Sequence, residues 1–232
     1  MGLKESGLRG SLRNVSVGID AIPDRGIVHE WQTSEGSGDT VTDTVSGADI
    51  TLSGASWDQF DNWWDGWAID YDGDGDYGVV DNENRVDIGQ EGSLIMTIRF
   101  DTLDTDQNDY AFGHRATDND NRIYFQHDTS GNFLIRLAEP EVTLASGDND
   151  IHRWGVAWNE DEFTAYFDGQ PQGTSAYSGT FDPVVTDWVF GAIDAEPTNP
   201  ADVTIDYPRV SDVRFSDEEM QEDYEVQPWV DN

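Results

Sequence analysis

Residues 68–81, AIDYDGDGDYGVVD, set five aspartates and three glycines in fourteen positions. Carboxylate oxygens at alternate positions are the donors a hard cation such as calcium takes. Read as a calcium loop, Asp70, Asp72 and Asp74 fall at positions one, three and five. Gly75 supplies the turn, and Asp76 offers a backbone carbonyl at position seven. Position twelve holds Asp81 where a bidentate glutamate is required, and the flanks WWDGWAI and GVVDNENRVDIG have strand rather than helix character. The segment therefore reads as strand, glycine-relaxed turn and strand. Two readings stay open: Asp70, Asp72, Asp74 and Asp76 collect a calcium ion at a sheet edge, or the segment is a solvated acidic hairpin.

The second candidate is SWDQFDNWWDGW, residues 56–67. Adjacent side chains on a strand point to opposite faces, so Trp63 and Trp64 cannot both enter one core. An outward ring beside Asp58, Asp61 and Asp65 would set an apolar platform next to hydroxyl-accepting carboxylates, the pairing that holds a sugar. The carbohydrate-binding set is accordingly Trp57, Trp63, Trp64, Trp67, Asp61 and Asp65. The alternative is that a loop or a neighbouring subunit covers the outward ring.

Catalytic patterns are weak. Retaining glycoside hydrolysis needs two carboxylates about 5–5.5 Å apart. The acid-rich runs EDEFTAYFD and DEEMQE fall at a hairpin and in a helix. His29, His114, His127 and His152 are scattered, without a metal-binding helix pattern. No catalytic residue and no enzymatic activity are expected.

Composition narrows the rest. The 232 residues carry 48 Asp and Glu against 12 Lys and Arg, a formal net charge of −36, and Lys4 is the single lysine. Such a chain repels itself unless ions screen it, and the Debye length falls to about 3 Å at 1 M salt. Acid-rich, lysine-poor composition resembles proteins of extreme halophiles. Nucleic acid is excluded as a partner, because phosphate demands a basic surface. The absence of cysteine excludes disulfides and thiolate metal sites. No stretch approaches the roughly 20 apolar residues of a membrane span, and the N-terminus has no hydrophobic signal core.

Charge also divides the chain. Residues 1–25 hold Lys4, Arg9, Arg13 and Arg25 against Glu5, Asp20 and Asp24, a net of +1, which leaves −37 on the remainder. This segment reads as an arm that docks on an acidic neighbour. Beyond it, SLIMTIRF, NRIYFQH, FLIRLA, HRWGVAW and FTAYFDG alternate apolar and polar residues between Gly, Asp and Asn turns, the pattern of an all-β sandwich or barrel. Ser216 before DEEMQEDYE, with Glu219 three positions on, predicts one short capped helix. The organisation is an arm over 1–27, one domain over 28–226 and a tail over 227–232.

Three segments carry a family resemblance. HRWGVAWNEDEFTAYFDGQPQG resembles the tryptophan strand and aspartate–glycine turn of laminin-G-like domains in the concanavalin A-like group. AIDYDGDGDYGVVD and YPRVSDVRFSDEEMQEDYE are similar to their early turn and their closing strand and helix. The resemblance implies a two-sheet antiparallel jelly-roll sandwich, a fold shared by lectins, adhesion modules and glycosidases, some of which bind calcium at an edge. The leader MGLKESGLRGSLRNVSVGIDAIP resembles laminin-G-like proteins of haloarchaea and their tailed viruses. That second resemblance implies a non-catalytic virion surface protein (turret, capsid decoration or tail fibre) assembled in salty cytoplasm and exposed to brine. It would be homo-oligomeric, anchored to other virion proteins through residues 1–25, and able to bind host glycans. A cellular carbohydrate-binding or adhesion module is the alternative, and a glycoside hydrolase of the same fold is the third reading.

Overall fold

The structure is a computed structural model that describes residues 26–59, 66–81, 83, 89–115, 122–177, 187–194 and 198–226, with the backbone alone at Arg115. In chain order the first strands are β1 (Ile27–Glu30), β2 (Thr40–Val41), β3 (Ile50–Ser53), β4 (Ser56–Gln59), β5 (Trp67–Asp72) and β6 (Tyr77–Val80). Then come β7 (Gly92–Phe100), β8 (Asp109–Arg115), β9 (Arg122–His127), β10 (Asn132–Leu137) and β11 (Glu141–Ser146). The series ends with β12 (His152–Trp158), β13 (Glu162–Phe167), β14 (Gln170–Ala176), β15 (Trp188–Phe190), β16 (Asp202–Ser211) and the helix α1 (Asp217–Glu225).

These strands form two antiparallel sheets stacked as a jelly-roll sandwich. The first runs β14-β13-β12-β7-β16-β5-β4, with β1 also paired to β16, and the second runs β11-β10-β9-β8-β15-β6-β3-β2. Period-two alternation turns Leu94, Met96, Ile98 and Phe100 of β7, and Trp154, Val156 and Trp158 of β12, into the gap between the sheets. Phe112, Phe125, Phe133, Trp188 and Phe190 meet them from the second sheet. Phe133 and Trp154 lie 4.9 Å apart, ring centre to ring centre. Such aromatic pairs contribute about 0.5–1.5 kcal/mol each beyond their buried area. The outer side of β7 is also covered, since Ile95 packs with Ala157, Tyr166, Phe215 and Met220 beneath α1.

Strand β16 changes partner midway. Asp202–Ile205 pair with β5, whereas Arg209–Ser211 pair with β1. Between the two halves lies a bulge at which Tyr207 adopts φ 48°, followed by Pro208. A tyrosine in the left-handed region is strained by order 1–3 kcal/mol, and its surroundings must hold it there. They do: its hydroxyl donates to Glu30 Oε1 at 2.6 Å, and the guanidinium groups of Arg153 and Arg209 lie over its ring at 5.7 and 5.2 Å.

The expected helix is present with both halves of its capping box. Ser216 Oγ accepts from the Glu219 amide at 3.2 Å, and Glu219 Oε2 accepts from the Ser216 amide at 2.8 Å. The β13–β14 turn has Asp168 at φ 50° and Gly169 at φ 72°, the double left-handed geometry that matches the twist of two paired strands. The acidic segment 68–81 corrects the hairpin expectation. Strand β5 belongs to the first sheet and β6 to the second, so the segment is an arch across the sandwich edge. Gly73 and Gly75, both at positive φ, turn the chain between layers, while Tyr71 and Val80 enter the same core from opposite sides.

Candidate functional site

Strand β4 is the last strand of the first sheet, and its two faces are chemically different. Trp57 stands opposite Ile69 in the register and packs half-buried against the core. Alternation puts Trp67 on the same inward side as Ile69 and Tyr71. The loop after β1 closes over both rings: Trp57 Nε1 donates to the Gly38 carbonyl at 2.9 Å, and a methyl group at Gly36 would stand 2.5 Å from the Trp67 indole. The β1–β2 loop thus closes over Trp57 and Trp67. Trp63, Trp64, Asp61 and Asp65 lie outside the described residues, as do Lys4, Arg9, Arg13 and Arg25.

The outward face of the same edge is polar. Register lines up Arg99 of β7, Thr204 of β16, Asp70 of β5 and Ser56 of β4 in one row across four strands. Arg99 Nε donates to Asp101 Oδ1 at 2.7 Å, and its Nη2 donates to Thr204 Oγ1 at 3.0 Å and to Asp58 Oδ2 at 3.4 Å. Thr204 Oγ1 in turn donates to Asp101 Oδ2 at 2.7 Å. The side chains of Arg99, Asp58 and Asp101 keep 21%, 31% and 29% of their surface exposed, so a ligand can reach them. Asp70 accepts from Ser56 at 3.2 Å. Burial, and then the nearby charges of Asp101, Asp58 and Asp202, raise its pKa against the Ser56 bond.

Asp70 therefore belongs to this row rather than to the acidic turn. In the turn, the Asp74 amide donates to Asp72 Oδ1 at 2.8 Å and the Asp72 amide to Asp76 Oδ2 at 3.4 Å. Burial and the charges of Asp72 and Asp74 raise the Asp76 pKa. Among the described residues no group of three or more His, Asp or Glu side chains is placed to hold a metal ion.

Histidine–carboxylate pairs recur elsewhere, in structural settings. His29 Nδ1 lies 2.7 Å from Asp43 Oδ2, and Ser46 Oγ lies 2.5 Å from that same oxygen and 2.9 Å from the same nitrogen. A nucleophilic triad needs serine and aspartate on different ring nitrogens. Here both meet Nδ1, so no proton relay exists. His152 has Asp168 on Nδ1 at 2.8 Å and Asp148 on Nε2 at 2.9 Å, which leaves neither nitrogen for a substrate. Arg153 and Arg209 are buried beneath α1, and both reach Asp223.

No protein-family model matches the chain, and no curated protein matches it in sequence. Solved structures do share its fold. Trypanosoma rangeli sialidase in complex with sialic acid superposes with a TM-score of 0.69 at 16% identity, over 90% of this chain and 34% of the sialidase. The botulinum neurotoxin serotype D binding domain gives 0.64 at 14% identity, over 87% of this chain and 52% of that domain. The receptor binding domain of the botulinum C/D mosaic serotype gives 0.62 at 13% identity, over 87% and 51%. The chain thus spans about a third of the sialidases and half of the toxin domains.

These matches show the fold alone: an antiparallel jelly-roll β-sandwich. They overturn the virion-appendage reading, because the structural likeness runs to sialidases and toxin binding domains. That reading rested on the leader, which lies outside the described residues. With enzymes and binding domains both among the neighbours, the site and not the fold must decide whether this chain catalyses. Among the described residues no helix is long and apolar enough to cross a membrane.

Proposed function

We propose that this chain is a non-catalytic carbohydrate-binding module that works in concentrated salt. The observation that carries the reading is the Arg99 row. A guanidinium held between two part-exposed carboxylates, with a threonine hydroxyl alongside, sets donors and acceptors side by side, the chemistry that holds sugar hydroxyls. Asp58 and Asp101 both accept from Arg99, which fixes them as acceptors that can hold a polyol. The acidic surface supports the salt requirement, since a net charge of −36 destabilises the compact state wherever screening is weak.

The test is a glycan array followed by titration calorimetry in about 1 M salt, where surface repulsion is screened. Arg99→Gln and Asp101→Asn should each weaken binding of a neutral oligosaccharide at least about tenfold, as the loss of a charge-assisted hydrogen bond implies. Product analysis on the bound glycans should show no cleavage. Turnover of any glycan, or unchanged affinity in both variants, would refute the proposal.

A further inference from the structure

Cations are scarce in this protein, so how each one is used is informative. Arg99 meets Asp58 and Asp101, Arg153 and Arg209 meet Asp223, Arg214 meets Glu162, and Arg136 meets Glu141. Among the described residues, Arg122 alone has a guanidinium that meets no carboxylate. Its Nε donates to the Ala138 carbonyl at 2.9 Å, and the group lies 5.6 Å from the centre of the Tyr124 ring, which Tyr110 meets edge-on at 5.2 Å.

The surroundings concentrate positive charge further. Arg136 stands opposite Tyr124 in the β9–β10 register, on the outer face of the second sheet with Arg122. Its Nε is buried without a hydrogen-bond partner. Burial, and then the charge of Arg122, lower the Arg136 pKa, against the opposing influence of Tyr110, Tyr124 and Glu139. Neighbouring like charges on one sheet face repel, and a buried donor left unsatisfied is destabilising. An oxyanion bound here relieves both. Among the described residues Glu139 and Glu141 are the acidic groups beside the pair, and Glu141 is taken by Arg136.

The geometry points to an oxyanion site at Arg122 and Arg136, on the outer face of the second sheet, that takes the carboxylate or sulfate of an acidic saccharide. This rests on the carbohydrate-binding reading and adds the ligand class, at a face separate from the Arg99 row. A polyanion is repelled by the −36 of the whole chain. A single oxyanion on an otherwise neutral sugar is repelled far less, which favours a saccharide carrying one acid group.

The test titrates the protein with lactose, sialyllactose and sulfolactose in about 1 M salt. At least one acidic sugar should bind at least about tenfold more tightly than lactose, as expected for a bond between two charged groups. Which one gains separates carboxylate from sulfate. The gain should vanish in Arg122→Gln and Arg136→Gln with lactose binding unchanged, and shrink in Arg122→Lys, which keeps the charge and loses the planar fork. Thermal melting checks that each variant is folded. Equal affinity for all three sugars, or a gain that survives in both glutamine variants, overturns the proposal. Acidic sugars that bind when lactose does not would sink the Arg99 reading and leave this one standing.

Discussion

Asp223, projecting from α1, accepts a hydrogen bond from Arg153 Nε at 2.8 Å and forms an ion pair with Arg209 through its other oxygen. One carboxylate thereby serves two guanidinium groups, each almost fully buried. Burial lowers the pKa of both arginines to about 10, and for Arg209 the charge of Arg153 adds to the effect. Asp223→Asn would leave two buried cations facing each other. Removing one partner of a buried ion pair costs about 3–5 kcal/mol. Urea unfolding at fixed salt should register a loss of that size, and a loss below about 1 kcal/mol would show that the ion pairs to Asp223 add little net stability.

His152 makes stability depend on pH in a defined direction. Burial disfavours the imidazolium, but hydrogen bonds and charge from Asp168 and Asp148 outweigh it and raise the pKa above 6.5. The folded state therefore binds the proton more tightly than the unfolded chain. The resulting stability is complete below an unfolded value of about 6.5, and it is lost as pH rises through the raised folded value. Melting temperature should fall across that window, and His152→Gln should flatten this part of the profile. An unchanged profile in the variant would assign the effect to another group.

Asp70 also has a raised pKa, and for a carboxylate that means ionisation opposes folding. Its stability contribution is present below an unfolded value of about 3.9 and is lost as pH rises through the folded value. At neutral pH the ionised group faces Asp101, Asp58 and Asp202. Asp70→Asn keeps an acceptor for Ser56 and removes the repulsion, so it should raise the melting temperature in dilute salt. The gain should shrink toward about 1 M salt, where the Debye length is about 3 Å. A gain independent of salt would mean that desolvation, not repulsion, sets the shift.

Local chemistry was legible in the sequence, and long-range pairing was not. Ser216 and Glu219 announce a helix start because the cap is complete within four residues. Asp168 and Gly169 announce a tight turn because both tolerate positive φ. The arch at 73–76 looked like a hairpin, since alternation tells which residues are buried and not which sheet receives them. The Arg99 row was out of reach for a related reason. Arg99 is separated from Asp58 by 41 positions and from Thr204 by 105, and nothing local to SLIMTIRF indicates either partner. At Trp57 and Trp67 the aromatic residues near a sheet edge serve closure, and Gly36 and Gly38 gave no warning that they cover Trp67 and Trp57; Trp63 and Trp64 lie outside the described residues.

Asp43 offers a check on whether the serine–histidine–aspartate trio is structural. Burial would raise its pKa, yet hydrogen bonds from His29, Ser46 and the Val45 and Glu30 amides prevail and hold it far below the usual carboxylate range. Stability from this group is present above an unfolded value of about 3.9 and is lost as pH falls toward the folded one. His29, fully buried, is stacked on Trp31 with ring centres 5.3 Å apart, so the trio ties the first loop to the aromatic core. Asp43→Asn removes the charge from several of these bonds and should cost about 1.5–3 kcal/mol in urea unfolding. Ser46→Ala removes one exposed donor and should cost about 0.5–1.5 kcal/mol. If the trio were catalytic, Ser46→Ala would abolish an esterase or glycosidase activity at little cost in stability. The shared Nδ1 predicts the reverse: no such activity in the parent protein, and a stability loss that is larger for Asp43 than for Ser46.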